Sequence, residues 1–121
     1  MYHLSTTLKV RNRKALYDII EYINHNYEEE ITLDSLSKKF YINKYSLCEL
    51  FRNAVGTTPA QYLINCRIMK AKELLIAGES VDSVCGKAGF RNLSHFSRIF
   101  KEKVGQSPKK YQMSMSRFAK N

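Results

Sequence analysis

The stretch Ser80–Tyr111, SVDSVCGKAGFRNLSHFSRIFKEKVGQSPKKY, decides how the rest of the chain is read. Apolar residues stand at Val81, Val84, Cys85 and Ala88, and again at Leu93, Phe96, Ile99, Phe100 and Val104. Both sets keep the three-and-four spacing that places side chains on one face of a helix. The gap around Gly89 is too short for anything but two helices meeting at a steep angle, the helix-turn-helix layout. Gly105 then stops the second helix, and Pro108 opens a last short one reaching about Met115, since proline's missing N–H costs nothing in a first turn. Ser94, His95, Ser97 and Arg98 form a polar face on the second helix that no core requires.

The same unit is written earlier, at Thr32–Tyr62. With an offset of 48, Asp34, Ser35 and Leu36 match Asp82, Ser83 and Val84. One extra residue in the second turn moves the offset to 49, and Asn43, Leu47, Leu50 and Phe51 then match Asn92, Phe96, Ile99 and Phe100. Val55, Gly56, Pro59 and Tyr62 match Val104, Gly105, Pro108 and Tyr111. Cap, core, stop and restart agree, which makes this an internal duplication.

Around these units the chain reads simply. Residues 1–12 are polar and irregular and read as a tail or the end of a linker. From Arg13 to Glu29, Leu16, Ile19, Ile20, Ile23 and Tyr27 give the stripe of one amphipathic helix, with Glu28, Glu29 and Glu30 as a solvated end facing away from any anionic partner. Thr32 is the expected N-cap of a helix that buries Leu33, Leu36 and Phe40, and Asp34 suits its first turn. Tyr41 and Ile42 make the turn, Asn43 caps a helix ended by Gly56, and Thr58-Pro59 restarts the chain. Residues 59–77 form the longest helix. Ile64, Ile68, Ala71 and Leu75 share one face while Leu63, Cys66 and Leu74 extend past it, as in a helix buried from more than one side between two lobes. The expected fold is all-α, about seven helices, with two helix-turn-helix subdomains joined by a long central helix. The domain spans 13–116: a first lobe over 13–58, the connecting helix over 59–77, a second lobe over 80–116, and a basic tail over 117–121.

At 121 residues and 44% hydrophobic content the chain can bury a core as one domain or two small lobes. No apolar run approaches the ~18 residues of a membrane span, and the start MYHLSTTLKVRNRK lacks the apolar centre of a secretory signal. Cys48, Cys66 and Cys85 are odd in number and far apart, which fits small core residues in a reducing cytoplasm rather than a metal or redox motif. The net charge of +9 is uneven: residues 1–30 carry 4 basic and 5 acidic groups, whereas residues 87–121 carry 9 and 1. Such a local excess suits a polyanion, because phosphate contacts release counterions. Charge alone does not choose between DNA, RNA and an acidic membrane surface. His3, His25 and His95 are scattered, no nucleophile–base grouping or glycine-rich phosphate loop is present, and an enzyme is not expected. No cofactor or metal is expected either. A helical RNA-binding or protein-interaction module would explain the basic tail but not the duplication. On a duplex, two reading units on one stiff helix suit groove faces that recur every ~34 Å.

The run Ala88-Gly89-Phe90, Asn92, Ser94, Phe96-Ser97-Arg98-Ile99-Phe100-Lys101, Gly105, Pro108 and Tyr111, with Arg67-Ile68, Ala71 and Leu74-Leu75 in the middle helix, resembles the AraC/XylS family of bacterial transcription regulators. The likeness covers about residues 13–116. It implies a cytoplasmic, sequence-specific binder of double-stranded DNA whose two recognition helices enter adjacent major-groove segments. It implies base-facing positions at Tyr45, Cys48 and Glu49 in the first unit and at Ser94, His95 and Arg98 in the second. Phosphate-side positions follow at Asn43, Lys44, Arg52, Arg91, Asn92, Ser97, Lys101, Lys109 and Lys110. Arg98 is the strongest direct reader, since its fork matches guanine O6 and N7. Glu49 either accepts from cytosine N4 or pairs with Arg52 or Lys44. The family also implies RNA polymerase as a partner and, in many members, a separate sensor domain upstream of what is here Met1. Cys85 stands where the family usually has alanine, and Gln112 where an arginine commonly follows the tyrosine.

Overall fold

The computed structural model describes the backbone of residues 2–119 and the side chains of residues 12–117. Among the described residues there are seven helices and no strand: α1 (Tyr2–Asn26), α2 (Leu33–Phe40), α3 (Lys44–Val55), α4 (Pro59–Ile76), α5 (Val81–Lys87), α6 (Leu93–Val104) and α7 (Pro108–Ala119). None is long and apolar enough to cross a membrane. They form two compact units, residues 1–26 with 31–63, and residues 27–30 with 64–121. The all-helical expectation holds. Three ends differ from the sequence reading. Helix α1 begins at Tyr2 rather than near Arg13 and ends at Asn26 rather than Glu29, so the segment read as an irregular tail is helical, and α7 continues past Met115 to Ala119. At 25 residues α1, and not the 18-residue α4, is the longest helix. An apolar stripe reports packing and not helix extent, and a segment without glycine or proline can stay helical beyond it.

In the first unit the N-terminus of α2 is closed by a reciprocal cap: Ser35 N donates to Thr32 Oγ1 and Thr32 N donates to Ser35 Oγ, each at 3.0 Å. Two orphan donors are satisfied, as in a capping box. The buried faces bring together Ile19, Ile23, Leu36, Leu47, Phe51 and Leu63. Tyr62 lies edge-on to Phe51 at 5.8 Å and donates its hydroxyl to Asn24 at 2.8 Å, so the aromatic keeps its polar tip satisfied.

In the second unit the core holds Ile68, Ala71 and Leu75 of α4 with Val84, Cys85, Ala88, Phe90, Phe96, Phe100 and Tyr111. Its aromatics form a chain, Phe90 to Phe96 at 4.9 Å, Phe96 to Phe100 at 5.7 Å and Phe100 to Tyr111 at 5.5 Å. Each such pair contributes about 0.5–1.5 kcal/mol beyond the area it buries. Cys85 is 6% exposed, and burial, with Asp82 adding its charge, pushes its thiol pKa up, which keeps it protonated and inert. The turn before α6 is cinched from two sides. Gly89 sits at φ +98°, and a β-carbon there would lie 2.6 Å from the Tyr27 carbonyl oxygen and 2.8 Å from Arg67 Nε. Only glycine fits.

Candidate nucleic-acid interface

Helices α3 and α6 begin in the same way. Asn43 Oδ1 accepts from Ser46 N at 2.8 Å, and Asn92 Oδ1 accepts from His95 N at 2.8 Å. Each asparagine sits in extended backbone and satisfies one of the orphan donors of its helix. Their side-chain oxygens are thereby used, and the amide N–H groups are what remain for a phosphate. Leu47 and Phe51 on α3, and Phe96 and Phe100 on α6, are buried, which turns the intervening residues outward.

On α3 the outward set is Tyr45, Cys48, Glu49 and Arg52, at helical spacing along one face. Tyr45 is fully presented to solvent, while Cys48 and Glu49 are half-buried. Two cations on this face are already matched by carboxylates. Arg52 Nη1 donates to Glu49 Oε1 at 3.0 Å, and Lys44 pairs with Asp34. The Lys44 hydrogen bond, and then its charge, hold the Asp34 carboxyl below the usual range. For Glu49, of the two partners the sequence offered, the structure pairs it with Arg52.

On α6 the outward set is Ser94, His95, Arg98 and Lys101, all exposed, with Ser97 half-buried beside them. The His95 ring rests edge-on to Phe90 at 6.4 Å, which limits its swing without hiding its nitrogens. Among the described residues Arg98 and Lys101 have no carboxylate partner, nor do Arg91, Lys103, Lys109 and Lys110. Ser107 Oγ accepts from Lys110 N at 3.3 Å and so caps α7, placing Lys109 and Lys110 in its first turn.

Two structural residues carry more than sequence reasoning assigned them. Arg67 donates from Nε to the Tyr27 carbonyl and from Nη2 to the Glu29 carbonyl, each at 2.7 Å, tying the acidic segment 27–30 into the second unit. Burial, with Arg91 nearby, lowers its pKa from the ordinary guanidinium value, yet it stays charged. An arginine flanked by Cys66 and Ile68 in a helix apolar over most of its circumference was the available signal. Gln112 donates from Nε2 to the carbonyls of Leu75 at 3.0 Å and Glu79 at 2.7 Å, closing the C-terminal end of α4. Its side-chain donor is engaged within the fold.

A family model described as a helix-turn-helix domain matches residues 36–114, a span that takes in α3 through α6. The chain is 25% identical, with a TM-score of 0.73, to a probable AraC family transcriptional regulator from Rhodopseudomonas palustris, covering 84% of this chain and 97% of that one. The chain belongs to the AraC-type helix-turn-helix family. It is also similar to the DNA-binding domain of AdpA, a global transcriptional factor, solved in complex with a target DNA, at 28% identity and a TM-score of 0.78 over 82% of this chain and 90% of that one. Among sequence relatives, it is 38% identical over 103 residues to the HTH-type transcriptional regulator YdiP of Escherichia coli, covering 84% of this chain and 34% of YdiP. The chain thus spans about a third of the length of the curated relatives it matches. Two residues gain meaning in the AraC-type frame. Gln112, where arginine is common, is engaged in capping α4, and Cys85, where alanine is usual, fills a buried site.

Proposed function

We propose that this domain binds double-stranded DNA in a sequence-specific way and thereby regulates bacterial transcription, with α3 and α6 each entering a major-groove segment. The observation that carries the reading is the duplicated, asparagine-capped helix presenting an outward polar face at matching positions. The basic excess around the second copy supports it, as does the similarity to a domain solved with its target DNA. Tyr45, Cys48 and Glu49 on α3, and Ser94, His95 and Arg98 on α6, meet base edges. Lys44, Arg52, Arg91, Lys101, Lys109, Lys110, the amides of Asn43 and Asn92, and the Ser97 hydroxyl meet phosphates. The domain works by binding, without catalysis, in the cytoplasm. It acts with RNA polymerase and answers to a separate sensor domain.

Binding is expected to be steeply salt-dependent, with a log–log slope of about −5 for roughly six phosphate contacts. Titration of duplexes selected from a random pool against scrambled duplexes at moderate salt tests the reading. Tighter binding of the selected sites supports it, and equal affinity overturns it.

A further inference from the structure

The two helix-turn-helix units share one turn geometry. Ile42 N donates to Ser37 O at 3.2 Å, and 48 positions on, Phe90 N donates to Cys85 O at 2.9 Å. Even the side-chain brace recurs: Ser37 Oγ donates to Ile42 O at 2.6 Å, and Cys85 Sγ donates to Phe90 O at 3.7 Å. The residue in the left-handed conformation is Gly89 in the second unit but Tyr41 in the first, at φ 55°. Tyr41 is the only non-glycine residue with positive φ among the described residues. A bulky L-residue there is strained, and the usual occupants are glycine or asparagine. The strain has no return in packing, because Tyr41 is 95% exposed, the most exposed of the large hydrophobic residues described. The bonds through Ser37 fix the backbone of the turn, so the phenol leaves the chain from a set position just ahead of the Asn43 cap, in a sequence neighbourhood that holds Lys38, Lys39 and Lys44. An over-determined, strained and unburied side chain of this kind marks a contact made outside the fold.

We propose that Tyr41 is a DNA-contacting residue of the first unit, its ring packing on a sugar and its hydroxyl donating to a backbone phosphate beside the groove that α3 enters. The proposal rests on the DNA-binding reading above. A phenol contacts phosphate without neutralising it, so it adds affinity and orientation but no counterion release. This separates it from the lysines around it.

The test compares wild type, Tyr41→Asn and Tyr41→Phe on a duplex selected by the wild-type protein, with thermal melting alongside. Asparagine tolerates the left-handed backbone, so Tyr41→Asn is expected to melt at or above the wild-type temperature. It is expected to bind about tenfold more weakly, as for loss of a hydrogen bond to a charged group, with an unchanged salt slope. Tyr41→Phe is expected to lose the hydroxyl's share, a several-fold weakening. Wild-type affinity in a folded Tyr41→Asn protein overturns the proposal while leaving the DNA-binding reading intact. A wild-type protein that selects no duplex at all overturns both.

Discussion

The first and second helix-turn-helix units are copies in backbone but differ in how much unpaired positive charge they carry. Both turns are closed by a matching bond, Ile42 N to Ser37 O and Phe90 N to Cys85 O, and both following helices start on an asparagine cap and bury two large side chains. In the first unit, Arg52 is paired with Glu49 and Lys44 with Asp34. In the second, Arg98 and Lys101 are paired with no carboxylate, and Arg91, Lys109 and Lys110 join them. Duplicating a scaffold therefore does not duplicate its electrostatics. The second copy is suited to supplying most of the phosphate affinity, and the first, with its paired charges, to adding contacts at little gain in counterion release.

The largest effect that would sharpen this comparison lies in the second turn. Gly89→Ala is expected to cost about 3 kcal/mol, because it combines positive φ with a β-carbon driven into a backbone carbonyl. Gly105→Ala, at a similar φ but with open space around it, is expected to cost only about 1 kcal/mol, and denaturant melts of the two variants measure the difference. Similar losses would mean that the second turn is no more tightly cinched than an ordinary helix stop.

Next in size is the reading face of α6. Arg98→Ala is expected to lose roughly 1–3 kcal/mol, confined to one base position in a panel of single-substituted duplexes. An even loss over all sequences would make Arg98 a phosphate contact instead. Lys109→Ala is expected to weaken all duplexes alike and to make the salt slope shallower by about one unit.

The smallest effect falls on the first unit. Asp34→Asn releases Lys44 and is expected to steepen the salt slope by less than one unit. Because Lys44 depresses the Asp34 pKa, the pair's contribution to stability is complete above the ordinary carboxylate range and fades as the pH falls through the lowered folded value. Asp34→Asn should therefore flatten the acid limb of the wild-type stability curve slightly. At this exposed site the change should be small.

Most of the architecture was legible in the sequence because it is written in periodicity and caps. Thr32, Asn43, Ser80 and Asn92 mark helix starts, and Gly56, Gly78 and Gly105 mark stops. Phe96, Phe100 and Phe51 were expected inside and are fully buried. The helical turns before Arg13 and after Met115 were missed because neither end is marked in the sequence by a capping residue or a glycine stop. The outward positions on α3 and α6 follow from helix geometry, but their partners do not. Whether Glu49 meets Arg52 or Lys44, and that Gln112 closes α4, depend on rotamers and on carbonyls far along the chain. The tight approach of Tyr27 to Gly89 is tertiary, and only the left-handed turn hinted that the glycine mattered.

The proposed function has one chain reading two groove segments with two unlike faces. Interference by guanine N7 methylation on a selected duplex probes this, because N7 lies in the major groove. Two interference clusters are expected, centred about one helical turn, ~10 base pairs, apart. Arg98→Ala should relieve interference in one cluster only, and substitutions at Tyr45 in the other. A single cluster, or two clusters both altered by Arg98→Ala alone, would contradict it.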